Sequence, residues 1–222
     1  MKIQIVSKED RTYPSCFKDL SQKPSVVYYM GDISLFEKKC IAIIGAREAS
    51  TESIEIATNY GKYLAEQGYV IVNGIARGID QAAIKGVIDA GGKAVLVMPC
   101  GLDRIYPASA KYFIYEVLRL GGCVISEYPE GTQPQKFTFL QRDRLQAAVA
   151  NKVVVISAEE KSGTMTTVDY ALRLNKPVAC IYNNASGNRK LINSHKGTCL
   201  YNKDNLFSFV TEPIAVQMSL FS

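Results

Sequence analysis

The chain has 222 residues, of which 47% are hydrophobic and 21% charged, as in an ordinary globular domain with a sizeable core. No apolar stretch approaches the ~18 residues that a membrane span needs, and the N-terminus MKIQIVSKEDR is not a secretory signal. The net charge of +5 permits a polyanionic partner without requiring one.

Cysteine and histidine usage argues against a metal site. The six cysteines form no CxxC pair and the chain has a single histidine, so we expect no zinc and no cofactor. Free cysteines in strand-like surroundings behave as small apolar residues, which indicates a reducing, cytoplasmic location.

The predicted elements alternate in type along most of the chain. Six short runs rich in valine and isoleucine predict strands buried on both faces, at 40–45, 69–74, 93–98, 122–126, 152–157 and 177–182. Helical patterns lie between them, at 50–67, 79–90, 109–119, 139–150 and 164–174. This alternation predicts a doubly wound α/β fold, with a mostly parallel sheet and helices on both faces.

Three regions are predicted from these patterns. Residues 1–39 are irregular and rich in turn residues, and we interpret them as an extension packed on the core. Residues 40–202 form the α/β core, and residues 203–222 form a weakly patterned tail.

Glycine-rich turns follow several of the predicted strands, at 45–48, 74–80, 99–103 and 162–167. In an open parallel sheet, ligands bind beyond the carboxyl ends of the strands, where helix N-termini offer free N–H groups. Each turn alone is explained by structural needs, but together with two arginines they predict a phosphate-binding rim. Its predicted members are Gly45, Ala46, Arg47, Gly74, Arg77, Ser162, Gly163 and Thr164.

A basic stretch with aromatic residues, KFTFLQRDRL at 136–145, offers a second signal. Bases stack on aromatic rings while cations hold the backbone, so Lys136, Arg142 and Arg144 with Phe137 and Phe139 fit a nucleic-acid contact. The alternatives stay open: the phenylalanines can be core anchors, and Asp143 can pair with the arginines. Tyr106, before Pro107, is interpreted as a packed turn residue, with stacking on a base as the alternative.

Taken in order, these stretches resemble the DNA-processing protein A (DprA/Smf) family over residues 13–200. The motifs that carry the resemblance are YP (13–14), PSVVYYMG (24–31), IIGAR (43–47), NGIARGID (73–80), CGLDRIYP (100–107), VISEYP (124–129), FTFLQRDR (137–144) and KSGTMTTVDYA (161–171). The resemblance implies a Rossmann-like fold that binds single-stranded DNA, forms homodimers, helps load the RecA recombinase in natural transformation and is not an enzyme.

Carried over by position, the family's DNA site is expected at Arg47, Lys136, Phe139, Arg142 and Arg144, with N–H groups from 162–164 beside them. The chain departs from the family pattern at Asn73, Ile84 and Asp143. It is also expected to be a core without the flanking helical and winged-helix domains, which weakens the expectation of RecA loading more than that of DNA binding.

The last six residues, QMSLFS, resemble the bacterial sliding-clamp-binding motif. Gln217 would fix the register by hydrogen bonds, and Met218, Leu220 and Phe221 would enter an apolar groove on the clamp. The alternative is that these side chains cover the protein's own surface.

Two other functions fit the same fold. The lonely guy phosphoribohydrolases carry a glutamate where this chain has Thr167, so the general acid–base group is missing. A nucleotide-sensing domain would keep the arginines and the 162–164 turn but bind a small nucleotide instead of DNA.

Overall fold

The computed structural model of the chain describes residues 2–214, whose strands form one sheet of nine. The strand order is β1-β2-β6-β5-β4-β3-β7-β8-β9. The bounds are β1 Gln4–Ser7, β2 Val26–Gly31, β3 Cys40–Ile44, β4 Val70–Asn73, β5 Ala94–Val97, β6 Cys123–Ser126, β7 Lys152–Val155, β8 Val178–Ile181 and β9 Thr198–Leu200.

Strands β3 to β9 run parallel, whereas β1 and β2 form an antiparallel hairpin that joins the sheet at β6. The register around the central strand pairs Ile41 with Ile71 on one side and with Lys152 on the other. The predicted α/β class is therefore confirmed, and all six predicted strands are present. The prediction did not include β1, β2 and β9.

Between residues 2 and 214, seven α-helices complete the fold, and each predicted helix is found within a few residues of its expected bounds. They are α1 Thr51–Glu66, α2 Ile79–Asp89, α3 Lys111–Arg119, α4 Lys136–Val149, α5 Gly163–Arg173, α6 Ser186–Asn193 and α7 Lys203–Thr211. Helix α7 occupies the predicted tail. Its side chains Leu206, Phe209 and Val210 are buried at helical spacing, and the Asn202 side chain caps it by accepting a hydrogen bond from Asn205 N.

The helices cover both faces of the sheet. One apolar cluster joins the sheet to α1, α2, α3 and α7, and two clusters on the other face include α4, α5 and α6. Helices α1 and α2 pack closely, since a Cβ on Gly61 would lie 2.1 Å from the Ala83 carbonyl oxygen. Cys40, Cys123 and Cys180 are buried in strands, as expected for small apolar residues. No helix within residues 2–214 combines the length and apolarity that crossing a bilayer requires.

The order of the strands creates a switch point at β3. From β3 the chain proceeds through β4, β5 and β6 in one direction, and after α4 it returns to β7 on the opposite side of β3. In open α/β sheets, ligands bind in the crevice that opens where the winding direction reverses. A ligand site is therefore expected at the carboxyl ends of β3 and β7.

Candidate functional site

A cavity of about 670 Å³ opens at the switch point. The turn after β3, helix α4 and the N-terminus of α5 line it, together with Ala76, Asp80 and Glu159. Its volume lies in the range of small-molecule and cofactor sites. The predicted residues that line it are Gly45, Ala46, Arg47, Lys136, Phe139, Arg142, Ser162, Gly163 and Thr164.

The turn after β3 is held by its backbone. Ala46 N donates to the Ser157 carbonyl over 2.7 Å, and the Ala46 carbonyl accepts from Ile79 N over 3.2 Å. A side chain at Gly45 would collide with Ile79, because an added Cβ would lie 2.7 Å from its Cγ1. This fixed turn leaves the side chain of Arg47 exposed at the mouth of the cavity.

An aromatic ring, that of Phe139, lines the cavity. The central guanidinium carbon of Arg47 lies 5.5 Å from the centroid of the Phe139 ring, a cation–π contact. The Tyr106 ring meets Phe139 edge to face, with centroids 5.5 Å apart. Phe137, on the same helix, is 55% exposed. The alternative that both phenylalanines are core anchors is therefore wrong for Phe137, and Phe139 is only partly buried.

The N-terminus of α5 also lines the cavity. The hydroxyl of Ser162 caps the helix by accepting a hydrogen bond from Met165 N. The N–H groups of Gly163 and Thr164 belong to the first turn, so they have no partner within the helix and carry its partial positive charge. The Thr164 hydroxyl donates to the Gly45 carbonyl over 3.0 Å and thereby ties the start of α5 to the turn after β3.

Arg142 lies at the floor of the cavity rather than at its mouth. It is 6% exposed, and it donates from Nε to Asp143 and from Nη1 to the Val97 carbonyl, both over 3.0 Å. Its guanidinium occupies the space above Gly74, where an added Cβ would lie 1.4 Å from Nη1. Gly74 thus makes room for this arginine.

Two buried carboxyl groups that the sequence analysis did not select complete the floor. Asp80 accepts hydrogen bonds from Gly74 N and Ala76 N, and its burial raises its pKa to about 6, against the opposing effect of Arg142. Burial also raises the pKa of Asp143, which Arg142 again opposes. The signal for Asp80 was its place in the first turn of α2, where the helix dipole favours an acid.

A neighbouring turn carries backbone strain. Ile75 has φ 52°, which a β-branched residue rarely adopts, and its N–H donates to the Asn73 side chain over 3.0 Å. The buried Asn73 amide donates in turn to the Asp80 carbonyl. The asparagine that departs from the family pattern therefore holds this turn in place.

Arg144 lines neither this cavity nor its neighbour, and its predicted role as a DNA contact stays a prediction that its burial argues against. Its guanidinium forms a two-pronged ion pair with Glu127, over 2.8 and 2.6 Å, and it also donates to the Gln22 carbonyl. Arg144 is 5% exposed, so its charge is used inside the fold.

Arg77 and Gly74 line a second cavity of about 360 Å³ beside the first. Within residues 2–214, no cluster of three histidine, cysteine or acidic side chains could hold a metal ion. The predicted clamp-binding residues lie outside the described residues.

Known proteins with similar sequences belong to the family that the sequence motifs indicated. A family model described as DNA recombination-mediator protein A matches residues 4–211. Protein Smf of Synechocystis sp. is 30% identical over 184 residues, which cover 81% of this chain and 46% of the relative. DNA processing protein DprA of Streptococcus pneumoniae is 32% identical over 172 residues, which cover 78% of this chain and 60% of that protein. The chain thus spans about half the length of such curated relatives.

Solved structures of two relatives share the fold of this chain. DNA processing protein A of Helicobacter pylori, described for its single-stranded DNA binding mode, superposes with a TM-score of 0.84 and 29% identity, covering 93% of this chain and 95% of that one. The Streptococcus pneumoniae DprA structure gives the same TM-score and identity, with 93% and 74% covered. A molybdenum cofactor binding protein from Rippkaea orientalis shares only the fold, at 16% identity and a TM-score of 0.59. With a family model that matches nearly its whole length, the chain belongs to the DNA recombination-mediator protein A (DprA/Smf) family.

Proposed function

We propose that this chain binds single-stranded DNA in the switch-point cavity and that it does so without a covalent step. Two things support the proposal: membership of a DNA-processing family, and a cavity that combines an exposed arginine, free helix N–H groups and an aromatic ring. The Helicobacter pylori relative, whose reported structure concerns single-stranded DNA binding, has the same fold at 29% identity.

The residues divide the work by chemistry. Arg47 and Lys136 are exposed cations at the mouth of the cavity, where they would neutralise phosphates. The N–H groups at the start of α5 would bind one phosphate by directed hydrogen bonds. Phe139 would stack on one base, which requires a base that is not paired in a duplex.

The observation that carries the proposal is the contrast between the arginines. Arg142 and Arg144 are held by Asp143 and Glu127 inside the fold. Arg47 is exposed and, among the described residues, forms none of the ion pairs. Its charge is therefore available to a ligand.

Fluorescence anisotropy with labelled 12-mer oligonucleotides across a salt series tests the proposal. The single strand should bind more tightly than the duplex, with a log–log salt slope of about −0.7 for each phosphate neutralised. Arg47→Ala should weaken binding about tenfold or more, since a hydrogen bond to a charged group contributes about 1.5–3 kcal/mol, and it should make the slope shallower by about 0.7.

Arg173 provides a matched control. It is exposed and lies 5.8 Å from the ring of Tyr170, as Arg47 lies over Phe139, but it stands at the far end of α5, about 15 Å from the cavity. Arg173→Ala should bind like wild type. A folded Arg47→Ala protein with wild-type affinity and salt slope would rule out this site.

A small nucleotide is a second candidate ligand, because the cavity volume suits one. Competition separates the two ligands: a mononucleotide that displaces the 12-mer at comparable concentration would favour nucleotide sensing. A phosphoribohydrolase is less well supported, since Thr167, at the position of that family's glutamate, is buried and has no acid to offer.

Recombinase loading, homodimer formation and clamp binding extend the proposal to partners. They rest on the family resemblance and on the C-terminal motif. Retention of RecA or of the sliding clamp by the immobilised protein, and its mass in solution, would test each separately. For the clamp, Leu220→Ala with Phe221→Ala should abolish retention.

A further inference from the structure

The second cavity differs in chemistry from the first. Pro99, Pro107, Ala108 and the ring of Tyr106 line it, together with the charged side chains of Arg47, Glu48, Arg77 and Arg142. The first cavity has a helix N-terminus in its wall, which suits a phosphate. In the second cavity, the exposed ring of Tyr106 is the feature that suits a nucleobase.

The two cavities share a partition. Arg47, Phe139 and Arg142 line both of them, so a ligand in one lies against the same side chains as a ligand in the other. In a nucleic-acid strand each phosphate lies next to a base, so one strand could place a phosphate in the first cavity and the neighbouring base in the second. We propose that the second cavity is a nucleobase subsite, in which Tyr106 is the stacking residue; this inference rests on the proposed single-stranded DNA binding.

Tyr106 is placed to stack. Its ring is 40% exposed, and its contact with Phe139 is edge to face. A ring surface therefore remains for a base. The sequence-based interpretation of Tyr106 as a packed turn residue accounts for its contact with Phe139 but not for this exposure.

Glu48 gives the subsite a preference. Its carboxylate lines the cavity, is exposed and takes part in none of the ion pairs within residues 2–214. A carboxylate accepts a hydrogen bond from an exocyclic amino group, such as cytosine N4, whereas thymine presents a carbonyl oxygen at that position. The subsite should therefore favour cytosine over thymine, within an otherwise sequence-tolerant interface.

Anisotropy with three labelled 12-mers, oligo-dC, oligo-dT and an abasic strand of the same phosphate spacing, tests the inference. Tyr106→Leu should weaken binding of oligo-dC about fivefold or more, the loss expected for one base stack. The same variant should bind the abasic strand like wild type, and its salt slope should not change. Glu48→Gln should raise affinity for every strand by removing a negative charge and should reduce the preference for dC over dT.

Tyr112→Leu is the control, because Tyr112 is 59% exposed and also meets a phenylalanine edge to face, Phe113 at 5.4 Å, on α3. The inference fails if Tyr106→Leu binds oligo-dC like wild type, or if it loses as much affinity for the abasic strand. It also fails in its base preference if wild type does not distinguish dC from dT. Loss of the Arg47 effect as well, or no binding by wild type, would overturn the proposed function itself.

Discussion

Arg47 and Phe139 meet across the switch point, with the guanidinium carbon 5.5 Å from the ring centroid. Arg47 follows β3, and Phe139 stands in the first turns of the helix that leads into β7. The contact gives an exposed cation a fixed position beside an aromatic surface.

Phe139→Leu should therefore weaken binding of single-stranded DNA about fivefold to a hundredfold, because both the base stack and the support for Arg47 are lost. Phe137→Leu, two residues away on the same helix, is the matched control, since Phe137 is exposed and does not line either cavity. Anisotropy at fixed salt measures both. Equal affinities for the two variants would contradict the stacking role.

Arg144→Ala should lower stability without altering binding. Removing it leaves Glu127, whose side chain is 13% exposed, without its partner, and breaking such a buried pair costs about 3 kcal/mol. Chemical denaturation should show this loss, while the folded protein keeps wild-type affinity for the oligonucleotide. Weaker binding at unchanged stability would restore Arg144 to the interface.

The parallel strands could be predicted from the sequence because both of their faces are buried. Val153, Val154 and Val155, for example, are all fully buried, so the strand is a continuous apolar run. Strand β1 lies at the edge and exposes Gln4 and Ile5, and β9 has three residues, so neither produces such a run. Edge position and short length explain why these strands were not predicted.

The site could be predicted only where it follows directly from a strand end. This holds for Arg47, which follows β3, and for Ser162, which precedes α5, because neighbouring residues in the sequence determine where both lie. Arg142 lies in the cavity and Arg144 does not, because each is held by partners distant in the sequence. Arg142 fills the space above the backbone of Gly74, and Arg144 pairs with the carboxylate of Glu127. No pattern within the stretch 136–145 contains that information.

Gly74→Ala should destabilise the protein by about 3 kcal/mol, because the new methyl group takes the place of the Arg142 guanidinium. The arginine would lose its bonds to Val97 and Asp143. Gly163→Ala is the control in the same site, where the nearest atom to an added Cβ, Oδ2 of Asp143, is 4.0 Å away. Thermal unfolding should separate the two variants clearly; identical melting temperatures would refute the steric role of Gly74.

Lys152→Met should loosen α7. The buried amine of Lys152 donates to the carbonyl oxygens of Phe209 and Glu212 and thereby holds the end of the helix. Without a donor, each buried acceptor costs about 1–3 kcal/mol. Hydrogen exchange of the α7 amides should become faster, whereas Ser208→Ala, an exposed change on the same helix, should leave it unaltered. Unchanged exchange in Lys152→Met would show that apolar packing alone fixes α7.

The buried Asp80 carboxyl gives stability an unusual pH dependence. Folding raises its pKa from the usual 3.8 to about 6, chiefly by burial and in spite of Arg142. Between about pH 4 and pH 6 the folded state therefore binds a proton that the unfolded state does not. Through this group, the free energy of unfolding should rise as pH falls across that window. Above about pH 6 the buried carboxylate is ionised, and its destabilising effect is then at its full size.

Comparing wild type with Asp80→Asn isolates this contribution from the other carboxyl groups. The unfolding free energy of wild type minus that of the variant should increase by on the order of 2 kcal/mol when the pH is lowered from 7 to 4. Asp89→Asn on the same helix is the control, because Asp89 is exposed and paired with Lys85 at the surface, so its difference from wild type should stay nearly flat. Denaturant titrations at each pH give the free energies. If the Asp80→Asn difference is also flat, Asp80 is not the group that titrates, and the charge balance assigned to the floor of the cavity is wrong.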